Sequence, residues 1–185
     1  MMLDHIAYLE SLYNNRAAVP NFQDYVDRWT LNSAGICLSL KDQCERDVPY
    51  GDDLLETMDV YMPLGSPSAM LMFVHGGYWR SLDKSQHAFI ARPFVDRGVA
   101  VAVINYSLCP NISMQKLVLQ VMAAGAYLYR NANDFRVPKK RLFVAGHSAG
   151  GHLAAMALSC EWPHFSKGLP KNIFQSGFSI SGFTT

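Results

Sequence analysis

Ser148 stands at the centre of Gly146-His147-Ser148-Ala149-Gly150, directly after the apolar run Arg141-Leu142-Phe143-Val144-Ala145 and ahead of a stretch with helical spacing. A strand that ends in such a turn and feeds a helix presents a serine hydroxyl at a helix N-terminus, the arrangement of a nucleophile elbow. The flanking glycines remove the Cβ atoms that would keep a strained turn from packing on its neighbours. The chemistry this suits is acyl transfer, in which Oγ attacks a carbonyl carbon and a covalent intermediate forms on the serine. Such a nucleophile also needs a base and an orienting acid, and only 37 residues follow Ser148.

A second segment, His75-Gly76-Gly77-Tyr78-Trp79, closes another apolar run. Adjacent glycines let backbone N–H groups approach the oxyanion of a tetrahedral intermediate without side-chain interference. Gly76 and Gly77 are expected to donate from one side and Ala149 from the other. Each well-placed donor contributes about 3 kcal/mol to lowering the barrier. Tyr78 and Trp79, with Arg80 after them, are expected to line an acyl or leaving-group pocket. Either segment alone could be an ordinary turn, and it is their occurrence at two strand ends that gives them weight. His147 occupies the variable position of the elbow and is read as structural. His152 lies on the elbow's own helix, with its ring expected to point away from Ser148 Oγ. His75 is expected to shape the glycine loop, and His5, His87 and His164 have no motif around them.

The elements that must position these residues follow from periodicity. Val99 to Tyr106, Ala69 to His75 and Arg141 to Gly146 are near-continuous apolar runs, as in strands covered on both faces. Phe178-Ser179-Ile180 is a weaker strand. Thr57 to Met62 alternates apolar and polar before Pro63 and reads as a strand exposed on one face. Lys84 to Arg97, Ser113 to Asn131 and Gly151 to Ser159 carry helical spacing. Strands alternating with helices predict an α/β fold with an open, mostly parallel sheet and helices on both faces. Ligands bind such sheets at the carboxyl ends of their strands, where His75 and Ser148 both fall. Ahead of this, Leu3, Ile6, Leu9, Leu12 and Tyr13 share one helical face, and a second helix is predicted from about Phe22 to Leu38. Residues 1 to about 40 thus form a helical extension on a single domain.

Composition excludes several classes. The 185 residues are 50% hydrophobic and 17% charged, with a formal net charge of +1, so the basic excess of a nucleic-acid binder is missing. No apolar run approaches the roughly 20 residues of a membrane span, and the N-terminus does not read as a secretory signal. The expected compartment is therefore the cytoplasm. Cys37, Cys44, Cys109 and Cys160 are scattered and are expected to be reduced, mostly buried thiols; no metal and no cofactor is expected. Neither a phosphate-binding loop nor a dinucleotide fingerprint is present.

The two glycine-containing segments together resemble the α/β-hydrolase fold, and most closely its branch of hormone-sensitive-lipase-like esterases and kynurenine formamidases. The Tyr-Trp after the double glycine, Asn105-Tyr106-Ser107-Leu108-Cys109-Pro110 and Tyr13-Asn14-Asn15-Arg16 favour the formamidase-like group. The resemblance runs from about residue 10 to the end. It implies Ser148 as nucleophile, Gly76, Gly77 and Ala149 as oxyanion donors, and a substrate that is a small carboxylic ester or an aryl formamide such as N-formylkynurenine. It also implies an acid and then a histidine later in the chain. After Ser148 the one carboxylate side chain is Glu161 and the histidines are His152 and His164. Glu161 and His164 fall about 15 to 20 Å along the helix from Ser148, beyond hydrogen-bond reach. The sequence is therefore expected to lack the C-terminal strands and loops that carry the acid and histidine. Without them the 185 residues alone are expected to be nearly inactive. Such a chain would expose a sheet edge unless a partner or a neighbouring copy covers it. The competing reading is a catalytically inactive protein that keeps the hydrolase scaffold as a binding module.

Overall fold

A computed structural model describes residues 2–182, and at positions 2–4, 6, 10 and 15 the backbone alone. Leu3 and Ile6 of the expected apolar stripe therefore have side chains outside the described residues. The chain opens with helices α1 (Met2–Tyr13), α2 (Asn15–Ala18) and α3 (Phe22–Ser39), then strands β1 (Cys44–Pro49), β2 (Thr57–Tyr61) and β3 (Ala69–Val74). There follow α4 (Ala91–Val95), β4 (Val99–Ile104), α5 (Met114–Arg130), β5 (Leu142–His147), α6 (Ala149–Ser159), α7 (Trp162–Phe165) and β6 (Gly177–Ile180).

The strands form one sheet in the order β1-β2-β4-β3-β5-β6. β3 pairs in parallel with both β4 and β5, and β6 extends β5 in parallel, whereas β1 and β2 run antiparallel at the other side. Because strand residues alternate between faces, the sheet separates two apolar layers. Met70, Met72, Ala102 and Ile104 pack with Leu117, Val121 and Leu128 of α5 and Leu153 of α6. On the opposite face Leu71, Phe73, Val101 and Val103 meet Leu40, Ala88, Ala91 and Val95. Strands buried on both faces leave no room for polar alternation, and β3 is buried at every position.

Two expectations change. β2 is not solvent-exposed on one face: Met58 to Tyr61 are all buried, because the polar position Asp59 is taken up by an ion pair with Lys84. The stretch from Lys84 to Arg97 is not one helix but two single 3₁₀ turns and the short α4. A capping box at Asp83 starts the first turn, and Pro93, which lacks an N–H, tolerates only the first turn of α4. Leu9, Leu12 and Tyr13 lie on a helix as predicted, 40%, 56% and 54% exposed. β1, with no apolar run of its own, was not predicted, and it pairs with β2 through an irregular register between Glu45 and Val48. The four cysteines are free thiols, each half-buried. Among the described residues no helix is long and apolar enough to cross a membrane.

Candidate active site

Ser148 joins β5 to α6 with φ 55° and ψ −119°, a backbone conformation that costs a non-glycine residue on the order of 1–3 kcal/mol and needs surroundings that enforce it. Glycines supply those surroundings. A Cβ at Gly146 would stand 2.0 Å from Gly150 O, and one at Gly150 would stand 2.0 Å from Val74 O. The strand, the turn and the neighbouring strand β3 therefore approach more closely than any side chain allows. Backbone hydrogen bonds fix the turn from both directions: Ser148 N–H donates to Ile180 O at 2.8 Å, and Gly151 N–H donates to Ser148 O at 2.9 Å.

The glycine loop after β3 is folded against this turn. A Cβ at Gly76 would lie 2.7 Å from His147 O and 3.2 Å from Ser148 Cβ, which makes the two segments direct neighbours. Gly77 adopts φ 109°, and Tyr78 and Trp79 follow it at 57° and 58°. The loop is closed by hydrogen bonds from Arg80 N–H at 3.0 Å and Ser81 Oγ at 2.8 Å, both to Gly77 O. Among the described residues the N–H groups of Gly76, Gly77 and Ala149 have no hydrogen-bond partner, and all three belong to the segments that converge on Ser148.

His75 is fully buried beneath this loop. Its ring stacks on Tyr106 with centroids 4.2 Å apart, Nδ1 lies 2.8 Å from Gly76 O, and Nε2 lies 3.1 Å from Asn105 Oδ1. Burial holds its pKa down, and both nitrogens are engaged inside the protein, so the ring braces the loop. The ring of His152 sits edge-on to Trp79 at 5.5 Å and makes no hydrogen bond to Ser148. Glu161 and His164 pair with each other at 2.8 Å, both exposed, on α7 and the residue before it. Among the described residues no histidine hydrogen-bonds Ser148 Oγ.

A cavity of about 400 Å³ opens beside Ser148. Gly77, Tyr78 and His147 line it, as do Arg80, Ser81 and Leu82. Trp79 does not; its ring packs into the core. The opposite wall comes from the helical extension: Tyr13, Asn14, Arg16, Phe22 and Trp29. Periodicity gave these residues no catalytic role, although Tyr13 to Arg16 carried part of the family resemblance. The signal within them is Asn14, whose side chain accepts from Ala17 N–H and starts α2, turning Arg16 toward the glycine loop, where its guanidinium donates to Ser81 Oγ.

His87, behind the loop, carries a pH prediction. It is 2% exposed, Nδ1 is 2.9 Å from Asp83 O, and Nε2 is buried with no partner. Burial, reinforced by the nearby His75, holds its pKa down to about 4. The unfolded chain takes up this proton near pH 6.5, whereas the folded chain resists until about pH 4, so folding weakens as pH falls through that window, by about 3 kcal/mol in total. Urea denaturation at pH 7 and pH 4 should show this loss, and a His87→Gln variant should show about 3 kcal/mol less pH dependence. Equal pH dependence in both proteins would contradict the assignment.

The fold and the elbow define an α/β-hydrolase. Residues 58–176 match the BD-FAE family, and the chain belongs to it. It is 36% identical over 138 residues to kynurenine formamidase of Danio rerio, covering 74% of this chain and 45% of that one. To esterase LipC of Mycobacterium tuberculosis it is 32% identical over 143 residues, 74% of this chain and 35% of the other. Among solved structures, a putative thioesterase from Silicibacter sp. TM1040 superimposes with a TM-score of 0.81 at 30% identity, over 94% of this chain and 63% of that one. The chain thus sits in the esterase and arylformamidase branch. It spans about half the length, or less, of the curated relatives it matches.

Proposed function

We propose that the chain carries the nucleophile and oxyanion donors of a serine hydrolase that cleaves a small carboxylic ester or an aryl formamide. The observation that carries this reading is the convergence of three unpartnered N–H groups, from Gly76, Gly77 and Ala149, on a serine held at positive φ. Ser148 Oγ attacks the substrate carbonyl carbon and gives up its proton to a base. The carbonyl electrons move onto oxygen, and the oxyanion is stabilised by the three N–H groups and by the positive end of α6. The C–O or C–N bond to the leaving group then breaks, the leaving alcohol or arylamine takes the proton, and water releases the acid from the serine. With His75 and His164 hydrogen-bonded elsewhere and the His152 ring packed edge-on to Trp79, the reading gives none of them the role of base. Formamidase and esterase relatives support the ester-or-formamide class.

On the full-length protein a fluorophosphonate probe should label Ser148, and Ser148→Ala should remain unlabelled. Equal labelling of the two would sink the reading. Turnover of N-formylkynurenine against p-nitrophenyl acetate then decides between formamide and ester. A protein that binds aromatic ligands in the cavity and never acylates would instead be a binding module on this scaffold.

A further inference from the structure

The cavity beside Ser148 is walled by two cations and no anion. Arg16 approaches from the helical extension and Arg80 from the glycine loop; among the described lining residues there is no Asp or Glu. Neither guanidinium forms an ion pair with a carboxylate among the described residues, whereas Arg46 and Arg92 each do. Two like charges on one small cavity repel each other while it is empty, and an anion between them removes that cost. Arg16 is also held in place, because its guanidinium lies over the Phe22 ring at 5.0 Å and donates to Ser81 Oγ. That hydrogen bond uses one of five donors, leaving a planar fork able to take both oxygens of a carboxylate. The remaining wall includes the rings of Tyr13, Phe22, Trp29 and Tyr78, apolar faces suited to a single aromatic body.

We infer that Arg16 and Arg80 form an anion subsite that holds a carboxylate on an aromatic ligand, leaving the ligand's other end toward Ser148. The carboxylate and its two arginines set which ligand enters. Calling that ligand a substrate rests on the hydrolase reading above; the binding itself does not.

The test is therefore a binding measurement. Calorimetric titration compares 2-aminobenzoate with 2-aminobenzamide, which share shape and differ in charge. The acid should bind roughly tenfold more tightly than the amide at low salt, with the margin shrinking as salt screens the exposed guanidinium groups. Arg80→Met, and separately Arg16→Met, should each remove most of that margin while leaving amide affinity within about twofold, and Arg16→Lys should retain more of it than Arg16→Met. Both arginines are exposed, so these variants should fold. Equal affinity for acid and amide, a preference that survives the double Arg16→Met/Arg80→Met change, or no binding of either compound at millimolar concentration would overturn the inference. Ser148 labelling is scored separately: labelling without acid preference defeats the subsite alone, and acid preference without labelling defeats the hydrolase reading alone.

Discussion

Lys84→Met is expected to destabilise the protein by about 3–5 kcal/mol, because it strands a carboxylate in the interior. Lys84 is 7% exposed and Asp59 1%, and Nζ reaches Asp59 Oδ1 at 2.5 Å and Asp47 Oδ1 at 2.6 Å. Asp59 Oδ1 also accepts from Asp47 N–H at 3.0 Å, while Arg46, half-exposed, reaches Oδ2 at 3.4 Å without hydrogen-bond geometry. Once Lys84 is gone, the cation left beside Asp59 among the described residues is Arg46, which is half-exposed and makes no hydrogen bond to the carboxylate. The pair joins the segment that follows the glycine loop to the middle of β2, so its loss should also loosen the loop that presents Gly76 and Gly77. Urea denaturation at pH 7 measures the first effect. The double variant Lys84→Met/Asp59→Leu should recover much of the loss, since two apolar side chains of similar volume leave no orphaned charge. A single-variant cost under about 1 kcal/mol would show that the pair is dispensable.

This pair also shows where sequence reasoning stops. Buried strands announce themselves through continuous apolar runs, which is why β3, β4 and β5 were placed to within one or two residues. The elbow is legible for a related reason: its two glycines and its serine lie within five residues, Gly146 to Gly150, so the steric demand and the residues that meet it fall in one short window. Asp59 was misread because its partner lies 25 residues downstream and the alternation of β2 is identical whether the polar position meets water or a lysine. The cavity wall was missed in the same way. Arg16 and Ser81 are 65 residues apart, and nothing in either local pattern indicates that they touch. Local sterics can be read from neighbours in sequence, whereas charge pairing and cavity walls depend on the tertiary arrangement.

Gly150→Ala should be strongly damaging, because nothing around the added methyl can give way. The added carbon would stand 2.0 Å from Val74 O and 2.5 Å from His75 O, and both obstacles are backbone atoms that no rotamer change can move aside. Relief requires α6 to draw back from β3, which would pull Ser148 away from the glycine loop. The cost is expected to be about 3 kcal/mol or more, at the upper end for overpacking, and fluorophosphonate labelling of any folded fraction should slow as the proposed oxyanion donors lose register with Oγ. Gly35→Ala supplies the contrast. Gly35 lies exposed within α3, and an added Cβ there meets nothing within 4 Å. The same chemical change should there stabilise the helix by about 0.5–1 kcal/mol, since alanine loses less backbone entropy on folding. Opposite signs from one substitution type, read by urea denaturation of the two variants beside the parent, would separate a glycine required by close approach from one that is merely tolerated. A Gly150→Ala protein as stable as the parent would mean that β3 and α6 can separate without cost, and the packing argument for the elbow would fail.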